Sequence, residues 1–292
     1  SPPPEAPSNF WDTALPYAIP IGAIIGSLLL FAAFAVLRKP NKQVANPAET
    51  VPSELQPFVD MTGGELPDAY SVMIVGDASA GKSILCQQLA YRYLSLGKPC
   101  VYVTYECFPD EIRENMKGFR WDISAHEQNG NFVFVDCYSS IAGKSSQEKY
   151  FVKQPFALSE LGIVTSTATG ELSQKSARVF LDSTAPLFTR LESSKVVEFL
   201  QDRSAQIKGE NGTFFFIVGK GTLQEDLRRK LEEIVDCIIE LEGHEERGET
   251  IRKMHIKKLR GRRFSDQWIS FKIDMKKGFV LSAPKHSQRS LK

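Results

Sequence analysis

The sequence predicts an α/β fold, a mostly parallel sheet with helices on both faces and an antiparallel C-terminal extension, preceded by one transmembrane helix. Three observations carry this expectation. Between Ser71 and Gly219 short apolar runs alternate with segments of helical period, the order in which helices cover both faces of a parallel sheet. Beyond Ile234 the apolar residues recur at period two, as in strands with one solvated face. Near the N-terminus, Leu15 to Leu37 ("LPYAIPIGAIIGSLLLFAAFAVL") is an uncharged run of 23 residues, about the length that crosses a bilayer.

Taken in order, residues 1–14 are expected outside the cytoplasm and 15–37 within the membrane. Arg38, Lys39 and Lys42 follow the apolar run, whereas Glu5 and Asp12 precede it with no positive side chain, so the bulk of the chain is expected on the cytoplasmic side. Trp11 and Tyr17 suit interfacial anchors. A cleaved signal peptide fits less well, because the apolar region is long and no small-x-small exit precedes "RKPNK". The chain opens at Ser1 rather than at methionine, as a processed or truncated product does. Residues 38–54 read as a linker, and proline-punctuated polar sequence with one short helical turn continues to Asp68.

The main domain is expected over residues 55–284, with 285–292 as a tail. Ser71–Asp77 reads as a buried strand, Lys82–Leu96 as a helix closed by Gly97, and Pro99–Glu106 as a second strand. A helix in "PDEIRENMKGFRW" leads to a strand in "NFVFVDCYS". Ser139–Gln154 is polar without periodicity and is expected to be a mobile surface loop. Helical "ALSELGIVTSTA" precedes the buried strand "SARVFLDST"; the helix "SSKVVEFLQDRSAQIK" ends at Gly209 before the strand "TFFFIVG". The runs "IVDCIIELE", "TIRKMHIKKLR" and "QWISFKID" form the antiparallel extension. No internal repeat is evident, so one such domain is expected.

With 42% hydrophobic and 24% charged residues, the 292-residue chain has a globular composition and the length for one sizeable core. A net charge of +1 offers nucleic acid no bulk attraction. From Gly243 onward fourteen Lys or Arg stand against five Asp or Glu, a basic end that suits either a partner surface or solvated strand faces. Cys86, Cys100, Cys107, Cys137 and Cys237 form no CxxC and mostly sit in apolar runs, as reduced thiols of a cytosolic domain do. The histidines do not cluster with them, so these side chains suggest no metal site.

Chemistry concentrates in "GDASAGKS", Gly76–Ser83, set between the apolar run "SVMIV" and a run of helical period. The spacing Gly76-x4-Gly81-Lys82-Ser83 is that of a phosphate-binding loop. Its candidate contacts are Gly76, Asp77, Ala78, Ser79, Ala80, Gly81, Lys82, Ser83 and Ile84. Small residues let backbone N–H groups curl around a β-phosphate, Lys82 reaches the β and γ oxygens, and the Ser83 hydroxyl holds Mg²⁺. The helix that follows adds its N-terminal amides and dipole. Asp182, ending "RVFLD", is the candidate for a second, metal-orienting acid, with helix capping as its alternative. Glu106, at the C-terminal tip of the strand that follows the phosphate-loop helix, is the candidate base or water-positioning group, with a first-turn carboxylate for the helix at Pro109 as its alternative.

Together, "GDASAGKS", "CVYVTYECFPDEIRENMKGFRWD", "FVDCYS", "RVFLDS" and "HIKKLRG" resemble the archaeal-type, KaiC-like branch of the RecA superfamily of P-loop ATPases, over about Leu55–Leu281. The resemblance implies a RecA-like fold, ATP and Mg²⁺ as ligands, and Glu106 as the activator of the attacking water. It also implies that Lys258 and Arg260 reach the γ-phosphate of a neighbouring subunit in a hexameric ring. Two departures stand out: Cys107 replaces the second of two glutamates common in the family, and "GKGT" replaces a short polar sensor, leaving Lys220 or Thr222 as substitutes. The function so implied is a membrane-anchored cytoplasmic ATPase that turns over slowly to drive or regulate a partner assembly. The alternative is an ATP-binding docking module of a membrane machine, similar to the archaellum-associated relatives. A recombinase-like DNA-binding role is a third reading, for which the basic end lacks interleaved aromatics.

Overall fold

A computed structural model describes residues 53–172, 176–246 and 249–282. The expected membrane span at 15–37 lies outside the described residues, as do residues 1–14, the linker up to Pro52 and the tail at 285–292. Among the described residues no helix is long and apolar enough to cross a membrane.

A turn of 3-10 helix at Ser53–Leu55 and helix α1 (Gln56–Met61) open the domain, where sequence reading expects mostly linker. Their apolar side is buried through Leu55, Phe58, Val59 and Met61, which explains why this stretch is ordered. Strand β1 (Tyr70–Gly76) then enters the middle of the sheet, and its uninterrupted apolar run reflects burial on both faces. Helix α2 (Lys82–Ser95) ends in a left-handed turn at Gly97, whose φ is +72°, with the Lys98 amide donating to the Tyr93 carbonyl at 2.8 Å. Strand β2 (Cys100–Thr104), helix α3 (Pro109–Gly118), helix α4 (Ser124–Gln128) and strand β3 (Phe132–Asp136) follow.

Residues 139–154 depart from the expected mobile loop. Helix α5 (Tyr138–Ile141) and strand β4 (Tyr150–Phe151) bracket the segment, and β4 pairs in parallel with β3. Between them Ser146 donates to Asp136 at 2.6 Å and Glu148 pairs with Arg113 at 2.7 Å. These partners lie in other elements, so local periodicity carries no trace of them.

Helix α6 (Leu158–Gly170), strand β5 (Arg178–Asp182), helix α7 (Ala185–Arg190), helix α8 (Ser193–Gly209) and strand β6 (Thr213–Gly219) complete the alternating part. Helix α9 (Glu225–Ile234), which sequence reading passed over, leads to β7 (Cys237–Glu246), β8 (Glu249–Leu259), β9 (Ile269–Asp274) and β10 (Gly278–Leu281). The strands form one sheet in the order β10-β9-β8-β7-β1-β6-β5-β2-β3-β4. Strand β7, expected in the antiparallel extension, pairs in parallel with β1 and antiparallel with β8, so the reversal begins one strand later.

Two apolar cores line the two faces. Val72 and Ile74 of β1 join α2 and the β8–β10 strands on one side, while Met73 and Val75 join α6 and α8 on the other. The carboxyl ends of β1, β6, β5 and β2 therefore lie side by side: Gly76 is level with Gly219, and Thr104 with Asp182. In open α/β sheets such an edge is where ligands bind.

Candidate nucleotide site

Gly76 closes β1 against β7; a Cβ there would stand 2.5 Å from the Leu241 carbonyl oxygen. From Asp77 the chain turns through Ser79 (φ +64°) and Gly81 (φ +91°), left-handed conformations that let successive amides face one concavity. The space behind Gly81 is taken by Ile273 of β9, whose Cδ1 lies 2.9 Å from where a Cβ would be. Lys82 then starts the 14-residue helix α2, so the loop sits on that helix's N-terminus.

Lys82 folds its ammonium back over the loop, donating to the carbonyls of Gly76 at 3.1 Å and Asp77 at 2.6 Å. Burial lowers its pKa, opposed by the carboxylates of Glu106, Asp77 and Asp182. Its hydrogen-bond partners are neutral carbonyls.

Ser83 donates to Asp182 Oδ1 at 2.9 Å, and Tyr102 of β2 donates to Asp182 Oδ2 at 2.7 Å. Desolvation pushes the pKa of Asp182 up to about 6, against the pull of these two hydrogen bonds and of Lys82; the nearby Glu106 adds to the rise. Burial also drives the Tyr102 phenol far above its ordinary range, so it stays a donor. The hydroxyl of Ser83 and the carboxylate of Asp182 are hard oxygens held side by side, a donor set that suits Mg²⁺.

A cavity of about 640 Å³ opens here, within the range of small-ligand sites. Of the residues expected at a nucleotide, Ala78, Ser79, Gly81, Lys82, Ser83, Ile84 and Glu106 line it. Asp182 stands behind Ser83 and is 6% exposed, while Gly76, Asp77 and Ala80 form the loop's base. Glu106 and Cys107 are exposed just past β2, and Thr104 fixes the turn by donating to the Cys107 carbonyl at 2.6 Å. Lys220 and Thr222 border the cavity, with Lys220 paired to Glu242 at 3.2 Å.

Sequence reading missed Arg252 and Ile273, which close the cavity from β8 and β9. The Nε of Arg252 is buried without a hydrogen-bond partner. A signal was present: in "IRKMHI" the arginine occupies the same face as the buried Met254 and Ile256, where an apolar residue is the rule.

Lys258 and Arg260 lie elsewhere. Leu259 pairs with Cys237, which is level with Val72, at the opposite end of β1 from the loop. The Arg260 amide bonds to Asp236, whose own amide bonds to Ser71, five residues below Gly76 or about 16 Å along the strand. Both side chains turn to the C-terminal end of α9. Lys258 donates to the carbonyls of Glu232 at 2.6 Å and Glu233 at 3.1 Å; Arg260 donates to Glu233 at 3.2 Å and to Asp236 at 2.9 Å. Burial and the neighbouring Arg260 lower the pKa of Lys258.

Comparison with known proteins finds relatives over most of the chain. The sequence model of the family described as "ATPase: KaiC" matches residues 51–286. A UPF0273 protein of Methanopyrus kandleri is 30% identical over 228 residues, covering 77% of this chain and 89% of its own length. A UPF0273 protein of Methanocaldococcus jannaschii is 32% identical over 207 residues, 68% of this chain and 82% of its own. Among solved structures, a KaiC-like protein of Pyrococcus horikoshii superposes with a TM-score of 0.63 at 23% identity, over 77% of this chain and 94% of that one. The flagellar accessory protein FlaH of Methanocaldococcus jannaschii gives 0.64 at 21% identity with the same coverage.

Proposed function

Because the chain belongs to the KaiC family of ATPases, we propose that it binds Mg·ATP at the β1–α2 loop and hydrolyses it slowly. The observation that carries this reading is the convergence of Lys82, Ser83 and Glu106 on one cavity, with Asp182 directly behind Ser83. The loop amides and the α2 N-terminus hold the β-phosphate, and Lys82 leaves the Gly76 and Asp77 carbonyls for the β and γ oxygens. Ser83 and Asp182 hold Mg²⁺, which when bound neutralises charge on the phosphate oxygens. Glu106 orients the attacking water and accepts its proton. Arg252 supplies a further positive group from the far wall.

Lys258 and Arg260 are too far from their own cavity to complete it, so in this reading they serve the cavity of a second copy. The apolar run at 15–37 is read as a tether that holds the ATPase part on the side of Arg38, Lys39 and Lys42. Sedimentation with membranes that is lost on deleting residues 1–42 tests the tether; unchanged sedimentation rejects it.

Titration with a fluorescent ATP analogue tests the site. Lys82→Ala is expected to weaken binding about tenfold or more, and binding as tight as that of the unaltered chain rejects the reading. One observation favours a second reading, an ATP-ordered docking module without turnover: a thiol, Cys107, stands beside Glu106 where a second acid is common in the family. Phosphate release separates the two. Turnover abolished by Glu106→Gln supports the enzyme, and its absence at every chain concentration supports the module.

A further inference from the structure

We propose that Tyr102 is a positioning residue for the metal site, fixing the rotation of the Asp182 carboxylate so that Oδ1 alone faces Ser83. The inference rests on the Mg·ATP reading above. Tyr102 is fully buried, and β2 lies beside β5 with Tyr102 level with Phe180 and Thr104 level with Asp182. The phenol thus runs diagonally up the sheet to meet the carboxylate.

Its ring has no freedom to follow a carboxylate that rotates. Phe180 stacks on it at 5.9 Å, Phe134 meets it edge-on at 6.0 Å, and Phe132 closes the third side at 6.4 Å. The phenol hydrogen is directed to Asp182 Oδ2 at 2.7 Å. A carboxylate has two oxygens to offer a cation. Here one is committed to an immobile donor, and the other shares its position with the Ser83 hydroxyl, 2.9 Å away. Any buried donor would satisfy Oδ2; a rigid one also decides which way the remaining oxygen points.

Tyr102→Phe removes the hydroxyl and keeps the ring. Titration of the full chain with mant-ATP, once in EDTA and once in Mg²⁺, reads the consequence. Affinity in EDTA should match that of the unaltered chain, while the gain on adding Mg²⁺ should fall by about tenfold or more, as for other outer partners of metal-binding groups. Phe214→Leu thins the core on the other face of the sheet from Tyr102 and should retain the full Mg²⁺ gain while melting earlier. An undiminished gain in Tyr102→Phe overturns the inference, as does an equal loss with and without Mg²⁺. A comparable fall in Phe214→Leu also overturns it, by reducing the effect to core packing. Failure of the unaltered chain to bind mant-ATP in either medium instead removes the nucleotide reading itself.

Discussion

Burial and ionisation oppose each other at Asp182. Its pKa in the fold, about 6, lies above the ordinary 3.8, so the folded chain favours the neutral acid. The fold's preference is fully present below the ordinary value and is lost as pH rises through about 6. By pH 8 the ionised group costs roughly 3 kcal/mol, since each pKa unit is worth about 1.4. Metal-free Asp182→Asn is therefore expected to melt above the unaltered chain at pH 8, with the gap closing toward pH 4; a lower melting temperature at pH 8 would contradict the account. Mg²⁺ needs the carboxylate ionised, so the Mg²⁺-dependent part of nucleotide affinity should fall about tenfold per unit below pH 6. Arg252 offers a complementary case. Its Nε has no partner, so Arg252→Leu should change stability by no more than ~0.5 kcal/mol. Nucleotide affinity should drop about tenfold, measured by the same titration. At this scale the loop residues and Asp182 were legible because each ends a strand or starts a helix in sequence order. Arg252 was legible only as an arginine on an apolar strand face; its neighbours in the cavity lie far away along the chain, so nothing local assigns it there.

The β9–β10 hairpin meets the phosphate-binding loop where Ile273 and Phe279 lie against Gly81. Gln88 of α2 accepts from the Phe279 amide at 2.7 Å and donates to the Phe279 carbonyl at 3.1 Å, pinning β10 to the helix that carries Lys82. Gln88→Leu leaves that buried amide unpaired and is expected to cost about 1–3 kcal/mol by urea denaturation. Hydrogen exchange should then quicken across Gly278–Leu281 before the central strands; uniform exchange would mean that the hairpin is held by packing instead. Elements with an apolar stripe or run were read from sequence with small boundary errors. Helix α9 was missed because "EDLRRKLEEI" is dominated by charge and buries only Leu231. Strand β7 was assigned to the wrong part of the sheet because period-two alternation says which residues face a core and not which strand lies alongside.

In the molecule as a whole, the cavity and the Lys258–Arg260 pair occupy opposite ends of the sheet. If the pair serves a second copy, turnover per chain should rise with protein concentration. Arg260→Ala should then lower the rate by about 10³ or more with little change in ATP affinity. Glu106→Gln chains mixed with Arg260→Ala chains should recover part of the lost activity; mixtures as inactive as either parent, despite shown co-assembly, would count against it. The overall architecture was legible from the alternation of runs and one loop, whereas the long-range pairings of residues 139–154 were not. The separation of the two ends also bears on symmetry. A contact that brings one end of a copy to the other end of the next joins unlike surfaces, head to tail, and repeats either close into a ring or continue as a filament. In a closed ring every cavity receives a neighbour's cations. An open filament always leaves one cavity bare, so for n joined copies only n − 1 sites are complete, and the rate per chain should step upward where the ring closes.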